Sequence, residues 1–390
     1  MRLGVYTDYV YRRIDGVIHA ERAFALFLAA LAPHFEQLTL IGRLAPDGEA
    51  RYPLAGELEL APLQYYTSLA NPLAALRSLV SSLGQMWRAL EQVDAVWVLG
   101  PYPHAIALVL LARARRRAVV LGVRQDWPRY VRARRPGRRW LHWAADVMEW
   151  IWSSLARGLP VVAVGPELSA KYAHAPALLN LTVSLVPAEA VRAAPDQRDY
   201  STELRVLSVG RLEQEKNPLL LADVLALLVA EDRRWRLLIC GEGDLAPALA
   251  RRLEQLGVAE RAELLGYVTM GDELFELYRN SHAMLHVSWT EGFPQVIIEA
   301  FATGLPVVAT DVGGVAAAAG DAALLIAPGD PRAAADALRR LATEPDLRTQ
   351  LARAGLARAQ ELTLESQITR LAAFLRANAY RRARAARAAS

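Results

Sequence analysis

Two carboxylates, Glu291 and Glu299, stand eight positions apart and bracket Gly292-Phe293-Pro294. They lie in H-V-S-W-T-E-G-F-P-Q-V-I-I-E-A-F-A-T-G-L-P-V-V-A-T-D-V-G-G, residues 286–314. The amides after Glu291 precede an apolar helix starting near Gln295, and a helix N-terminus offers free N–H groups to anionic oxygen. Glu299 interrupts that helix, where a carboxylate without a partner is costly. On these residues alone two readings stand: a ligand site with two acids, or a loop acid followed by a solvent-facing helix residue. Upstream, V-G-R-L-E-Q-E-K-N-P at residues 209–218 sets Arg211 and Lys216 beside a helix start at Asn217-Pro218, proline suiting the first helical turn. Arginine's planar fork and lysine's compact charge suit phosphate oxygens. Two ordinary surface cations are the plainer alternative.

The elements that must hold these residues are short buried strands alternating with helices. A strand at 283–288 runs into a polar loop, a helix follows, and a second strand comes at 306–309 after Gly304. This is a strand–loop–helix–strand unit of a parallel sheet, whose ligands bind outside the carboxyl ends of the strands. Strands near 204–210, 235–240, 262–265 and 323–327 complete that βα series. The first half alternates likewise, with strands expected at 3–6, 38–41, 95–99, 119–123 and 161–164 and helices at 20–32, 73–90 and 104–115. A polar, proline-marked stretch at 187–202 containing A-A-P-D-Q-R-D-Y reads as a linker. The expected organisation is an N-terminal Rossmann-like domain 1–190, a linker 191–203, a second Rossmann-like domain 204–363 and a helical tail 364–390. The tail ends in an arginine–alanine run.

At 390 residues, with 53% hydrophobic and 22% charged side chains, the chain suits two globular domains. Of 45 basic residues only Lys171 and Lys216 are lysines, a bias expected of a GC-rich, bacterial genome. The longest apolar run, 105–112, is far too short to span a bilayer. The opening M-R-L-G-V-Y-T-D reads as a first strand and not as a signal peptide. The single cysteine, Cys240, excludes an internal disulfide and ends an apolar strand, which fits a buried structural thiol. No Cys/His cluster has metal-ligand spacing. A cytoplasmic protein is expected, with attachment to the inner face of the membrane open. Residues 113–139 hold eleven arginines and one acid, Asp126. No nucleic-acid motif accompanies them, so no nucleic-acid partner is expected.

The 286–314 segment resembles the nucleotide-sugar site of retaining glycosyltransferase family 4 (glycosyl transferase group 1), whose signature is Glu, seven residues, Glu. The flanking E-G-F-P and G-L-P-V-V-A-T make the resemblance specific. It implies an α/β, GT-B fold: two Rossmann-like βα domains facing a cleft, the donor on the C-terminal one, the acceptor on the N-terminal one, and the last helix crossing back. It further implies an enzyme that moves a sugar from a nucleoside diphosphate sugar to a hydroxyl acceptor (a glycan, a lipid-linked compound or a small molecule). Retention, and independence of any metal or cofactor beyond that donor, are implied as well.

Residue by residue, the resemblance assigns Glu291 to the donor sugar at the reaction centre and Glu299 to the ribose hydroxyls. Gly292, Phe293 and Pro294 form the donor loop. Arg211 and Lys216 match the family's G-R-x-x-x-x-K-N pattern and would hold the diphosphate. Val268, in L-L-G-Y-V, would meet the base. Gly16, in D-G-V, stands for a glycine-rich loop facing the donor phosphate, with a plain turn equally open. Gly241-Glu242-Gly243 resembles the family's G-x-G turn, for which a tight βα turn suffices. Gly313-Gly314 matches the family's glycine pair, although Ala316-Ala317 replace the usual Pro-Glu and weaken any donor contact there. After strand 119–123 the family often has a His-Asp pair; here Arg124-Gln125-Asp126 follow, so no catalytic histidine carries over. Asp126 is the candidate to orient the acceptor hydroxyl, with His104 its rival and His19, near Gly16, ranked with that loop. A same-fold epimerase or phosphorylase is the nearest alternative. A non-catalytic GT-B scaffold is the more distant one, disfavoured by the presence of Arg211, Lys216, Glu291 and Glu299.

Residues 132–152 read R-A-R-R-P-G-R-R-W-L-H-W-A-A-D-V-M-E-W-I-W. Arginines beside Trp140, Trp143, Trp150 and Trp152 suit an anionic membrane surface. A helix with a solvated basic start and a tryptophan-filled core side is the other reading.

Overall fold

The computed structural model describes residues 1–46, 48, 51–135 and 137–388, and only the backbone of 133, 134 and 380–388. The chain divides into two units, Met1–Val183 with Glu365–Ser390, and Ser184–Leu364.

In the first unit the strands are β1 (Arg2–Ile14), β2 (Val17–Ala20), β3 (Gln37–Leu44), β4 (Tyr52–Pro53), β5 (Leu58–Leu63), β6 (Ala95–Gly100), β7 (Ala118–Val123), β8 (Val161–Val164) and β9 (Leu178–Leu181). They form one sheet in which β3, β1, β6, β7, β8 and β9 run parallel, β5 extends it beyond β3, and β2 and β4 are added antiparallel. The helices are α1 (Phe24–Ala29), α2 (Pro72–Gln92), α3 (Pro103–Ala114), α4 (Trp127–Arg134), α5 (Arg139–Ala156) and α6 (Pro166–Lys171). Valine-rich strands that read as continuous apolar runs are buried on both faces, as parallel strands under helices must be. Their core gathers Val96, Val98, Leu121, Trp152 and Tyr172.

The first strand does not stop at Tyr6. Its register on β3 shifts between Tyr6 and Val10, a bulge that bends the strand. Beyond it β1 runs on to a hairpin turn at Asp15-Gly16, with φ of 49° and 81°, and β2 returns antiparallel. Such a turn needs positive φ at both central residues, which Asp-Gly supplies.

In the second unit β10 (Leu204–Val209), β11 (Trp235–Cys240), β12 (Ala262–Gly266), β13 (Ala283–His286), β14 (Val307–Thr310) and β15 (Ala323–Ile326) form a fully parallel sheet in the order β12-β11-β10-β13-β14-β15. Helices α7 (Leu219–Glu231), α8 (Ala246–Gln255), α9 (Asp272–Arg279), α10 (Gln295–Ala302), α11 (Val315–Ala319), α12 (Pro331–Thr343) and α13 (Pro345–Glu361) connect and follow the strands. The strand order reverses between β10 and β13, and the crevice at such a switch point is where doubly wound sheets bind ligands. Arg211 follows β10 and Glu291 follows β13. Cys240 ends β11 as a buried thiol.

The stretch expected to be a linker, 191–203, is instead packed on the second unit. Arg198 donates to the carbonyls of Gly304 and Thr303, and the Tyr200 hydroxyl donates to His282 O. Its polar composition serves those bonds. The last helix, α14 (Leu364–Ala388), belongs to the first unit, where Gln367 accepts from Thr182 N and Arg370 donates to Asn180 O.

Candidate functional site

The Glu291 carboxylate is the meeting point of two loops of the second unit. Its Oε1 is bonded by Lys216 Nζ, lies 2.7 Å from the donating Ser288 hydroxyl, and lies 2.9 Å from His286 Nε2. The side chain is only 8% exposed. Burial pushes its carboxyl up, but the hydrogen bond from His286 and the charge of Lys216 outweigh that and bring it down to about 2. Lys216 ends a short 3-10 turn, and Asn217 after it takes a left-handed conformation at φ 52°, which asparagine tolerates better than most residues. Trp289 N donates to Glu215 O at 2.9 Å and ties the two loops together. Arg211, more exposed, pairs with Glu213 at 2.8 Å and Glu215 at 2.7 Å. Gly210, Arg211, Lys216, His286 and Ser288 line a small shared cavity at the ends of β10 and β13.

Sequence reasoning passed over His286 and Ser288. A period-2 signal was there: residues two apart on an extended strand point to one face, and both face Glu291.

Glu299, on α10, is 6% exposed and accepts the Tyr278 hydroxyl at 2.8 Å. The reading as a solvent-facing helix residue is therefore overturned. Burial lifts its carboxyl to about 7, with the Tyr278 bond acting the other way. Hydroxyls that donate to this group favour its charged form and lower its pKa on binding. If those hydroxyls belong to a nucleotide's ribose, as the resemblance implies, nucleotide binding at pH 7 should release protons, read by calorimetry as an enthalpy that differs between buffers of different ionisation heat. Glu299→Gln should remove the difference, and a buffer-independent enthalpy in the unaltered protein would count against a ribose contact.

Gly313 and Gly314 fix the same loop from the other side. A Cβ on Gly313 would stand 2.0 Å from Glu291 O, and one on Gly314 would stand 1.9 Å from Gly292 O. Gly314 N also donates to Glu291 O at 3.2 Å. The glycine pair thus holds the Glu291–Pro294 backbone by close approach. Phe293 packs partly buried on the core, Pro294 is the N-cap of α10, and Val268 lies just past β12, also against the core.

The first unit places its candidates differently. His104 is fully buried in the first turn of α3, hydrogen bonded to Ser78 at 3.1 Å and stacked on Tyr66. Burial, and then Arg43, push it down to about 4. The ring is thus enclosed in the core in this structure. Asp126 caps α4, accepting Arg129 N at 3.0 Å and Lys171 Nζ at 3.0 Å, so its carboxylate is already engaged. Gly16 sits at the tip of the β1–β2 hairpin, well past the end of the parallel part of β1, because β1 continues where a loop was expected. His19 lies on β2 opposite Arg12.

In the bulge of β1 between Tyr6 and Val10, Asp8 is enclosed by Arg43, by the Tyr66 hydroxyl at 2.6 Å and by the Tyr6 hydroxyl at 3.3 Å. The arginine-rich stretch is not one bare face. Arg115 pairs with Glu91, Arg129 with Glu167 and Arg132 with Asp146. Arg113, Arg116, Arg135, Arg138 and Arg139 have no ion pair among the described residues. The side chains of Arg134 and of the terminal arginine–alanine run lie outside the described residues. Trp152 is buried in the core while Trp140, Trp143 and Trp150 are exposed, so α5 has both a core side and an outward apolar side.

Residues 193–358 match the family model described as "Glycosyl transferases group 1". The chain is 37% identical over 153 residues to D-inositol 3-phosphate glycosyltransferase of Corynebacterium urealyticum, covering 37% of this chain and 36% of that protein. It is 33% identical over 136 residues to the phosphatidylinositol N-acetylglucosaminyltransferase gpi3 subunit of Schizosaccharomyces pombe, covering 34% and 30%. The match thus spans about a third of the length of these two curated relatives. Among solved structures, Anabaena Alr3699/HepE in complex with UDP-glucose superposes with a TM-score of 0.68 at 15% identity, over 97% of this chain and 100% of that one. WaaG, a glycosyltransferase involved in lipopolysaccharide biosynthesis, gives a TM-score of 0.66 at 17% identity, over 96% and 99%. At those identities the structures establish the fold, which is GT-B.

Proposed function

We propose that the chain is a retaining glycosyltransferase, a reading supported by the match of residues 193–358 to the glycosyl transferases group 1 model. It moves a sugar from a nucleoside diphosphate sugar to a hydroxyl acceptor without a metal ion. The observation that carries this is the Lys216–Glu291–Ser288–His286 cluster at the switch point of the second sheet, with Arg211 beside it. In this reading Arg211 and Lys216 hold the diphosphate, Glu291 and the Gly292–Pro294 loop hold the donor sugar, Glu299 the ribose and Val268 the base. The acceptor oxygen bonds to the anomeric carbon as the bond from that carbon to the diphosphate breaks. The acceptor's proton passes to the departing phosphate oxygen, whose growing charge the two cations stabilise. The first unit takes the acceptor.

The test separates the two acids. Glu299→Ala should weaken binding of the bare nucleoside diphosphate, since a hydrogen bond to a charged group contributes about 1.5–3 kcal/mol. Glu291→Ala should act on the intact donor and on turnover. Equal losses for the bare diphosphate in both variants would contradict that division, and no binding of UDP, GDP or ADP to the unaltered protein would sink the reading.

For the acceptor we propose a lipid-linked hydroxyl compound, reached on the cytoplasmic side of an anionic membrane. On α2, Leu73, Leu76, Val80, Leu83 and Trp87 are all exposed and recur at three- and four-residue spacing, with Arg77 and Arg88 on the same helix. That is the pattern of an interfacial helix. The exposed tryptophans of α5 and the unpaired arginines add to it. No helix among the described residues is long and apolar enough to cross a membrane. Co-sedimentation with anionic vesicles is expected at low salt and should weaken at high salt, where charges are screened. Failure to pellet at low salt would favour a soluble acceptor.

A further inference from the structure

Arg124 is the first residue after β7, where the family often has a histidine. Its guanidinium lies 3.6 Å over the Phe24 ring and 5.8 Å from that of Tyr9. The residue is half-buried; its Nε is buried without a hydrogen-bond partner, and its two terminal nitrogens reach solvent. Arg43, Arg115 and Arg198 also have a buried, unbonded Nε, but each donates through its other nitrogens to a carbonyl or carboxylate. Arg124 makes no hydrogen bond and no ion pair at all among the described residues.

Three carboxylates of this unit are each held by other groups. Asp126 is held by Lys171 and Arg129 N, Asp8 by Arg43 and Tyr66, and Glu149 by Lys171 and Tyr172. Three residues on, the Trp127 indole N–H is likewise buried and unbonded. Burial alone, with no anion in reach, brings Arg124 down to about 10. A guanidinium partly withdrawn from water with no counter-charge of its own is open to an arriving anion through its accessible terminal nitrogens.

We propose that Arg124 binds a negatively charged substituent, a phosphate or a carboxylate, on the acceptor. The proposal rests on the transferase reading, which makes the first unit the acceptor side. The rings against the guanidinium, Phe24 and Tyr9, carry no charge and leave the planar fork to meet an oxyanion. The fork suits bidentate binding of either oxyanion.

The test uses the full chain labelled with ¹⁵N-arginine and saturated with UDP, so that the Arg211–Lys216 site is closed to added phosphate. The Arg124 Nε–H resonance, assigned by its loss in Arg124→Lys, should shift saturably with inorganic phosphate or acetate and not with glycerol. In Arg124→Gln, calorimetric phosphate affinity should fall by at least about tenfold, the scale of a charge-assisted contact, while UDP affinity is unchanged. Arg124→Lys, which keeps the charge and loses the fork, should fall in between. No phosphate-dependent shift, or unchanged affinity in Arg124→Gln, overturns the proposal.

A further arm compares UDP-glucuronate with UDP-glucose. If Arg124→Gln alters their ratio and leaves phosphate binding alone, the anion belongs to the donor and the acceptor assignment falls. Failure of UDP to bind the unaltered protein would strike the transferase reading instead, leaving the phosphate shift as a separate result.

Discussion

Lys216→Met and Arg211→Met should each lower turnover by about 10²–10³, the usual loss when one donor to developing negative charge is removed. Charge on the leaving diphosphate grows toward the transition state, so the cations matter more there than in the ground state. KM should change less than kcat. The two variants should differ in a second respect. Lys216 also bonds the buried Glu291, so Lys216→Met leaves that carboxylate with only Ser288 and His286 and should raise its pKa from about 2. Arg211 pairs with the exposed acids Glu213 and Glu215, where solvent screens the loss, so its removal should leave stability alone. Steady-state kinetics in excess chelator, together with thermal melts, reads both effects. Full activity in either variant would refute the diphosphate role, and loss of wild-type activity to the chelator would refute the metal-free site.

Gly314→Ala should be strongly damaging although its backbone angles, φ −82° and ψ 4°, suit alanine. The added methyl would meet Gly292 O at 1.9 Å. Backbone on backbone cannot yield by a rotamer change, so the loop after β14 or the loop carrying Glu291 must move. A displacement near 1 Å at a positioning loop commonly costs about 10²-fold in rate. Gly84→Ala is the control: its Cβ meets nothing, it sits within α2, and the change should stabilise by about 0.5–1 kcal/mol. Equal activity in the two variants would show that the close approach of the loops is not needed.

What could be read from the chain follows from burial. The strands β6 and β7 are buried on both faces and therefore stand out as unbroken apolar runs, while β10 and β11 are apolar runs broken only by Arg205, Ser208 and Arg236. The edge strands β4 and β9, and β2 inside β4, are short and partly exposed, so nothing periodic marks them. The long second half of β1, T-D-Y-V-Y-R-R-I, mixes charge with tyrosine and reads as loop until its pairing with β2 and β3 is seen.

At the site the contrast is similar. Glu291 and Lys216 sit in recognisable local patterns, but the bond between them joins residues far apart in the chain. Arg124 stands two residues before Asp126, and local sequence favoured the acid as the reactive group. Only the hydrogen-bond partners show that the acid is a helix cap and that the arginine has none. His104 was legible as a polar residue near a strand end but not as an enclosed one, because enclosure depends on Tyr66 and Ser78 arriving from other elements.

The two-segment make-up of the first unit bears on how the chain is born. Its closing helix α14 carries Ile368, Leu371 and Leu375 into that unit's interior, yet these residues follow the whole of Ser184–Leu364 in the chain. On a ribosome adding about 5–20 residues per second, that interval lasts on the order of 10–40 s. For that time the nascent first unit carries an uncovered apolar surface, while the second unit, continuous in sequence, emerges complete and can fold at once. The half of the molecule made first is thus the last to be finished, and it is the half for which a chaperone has the most to shield.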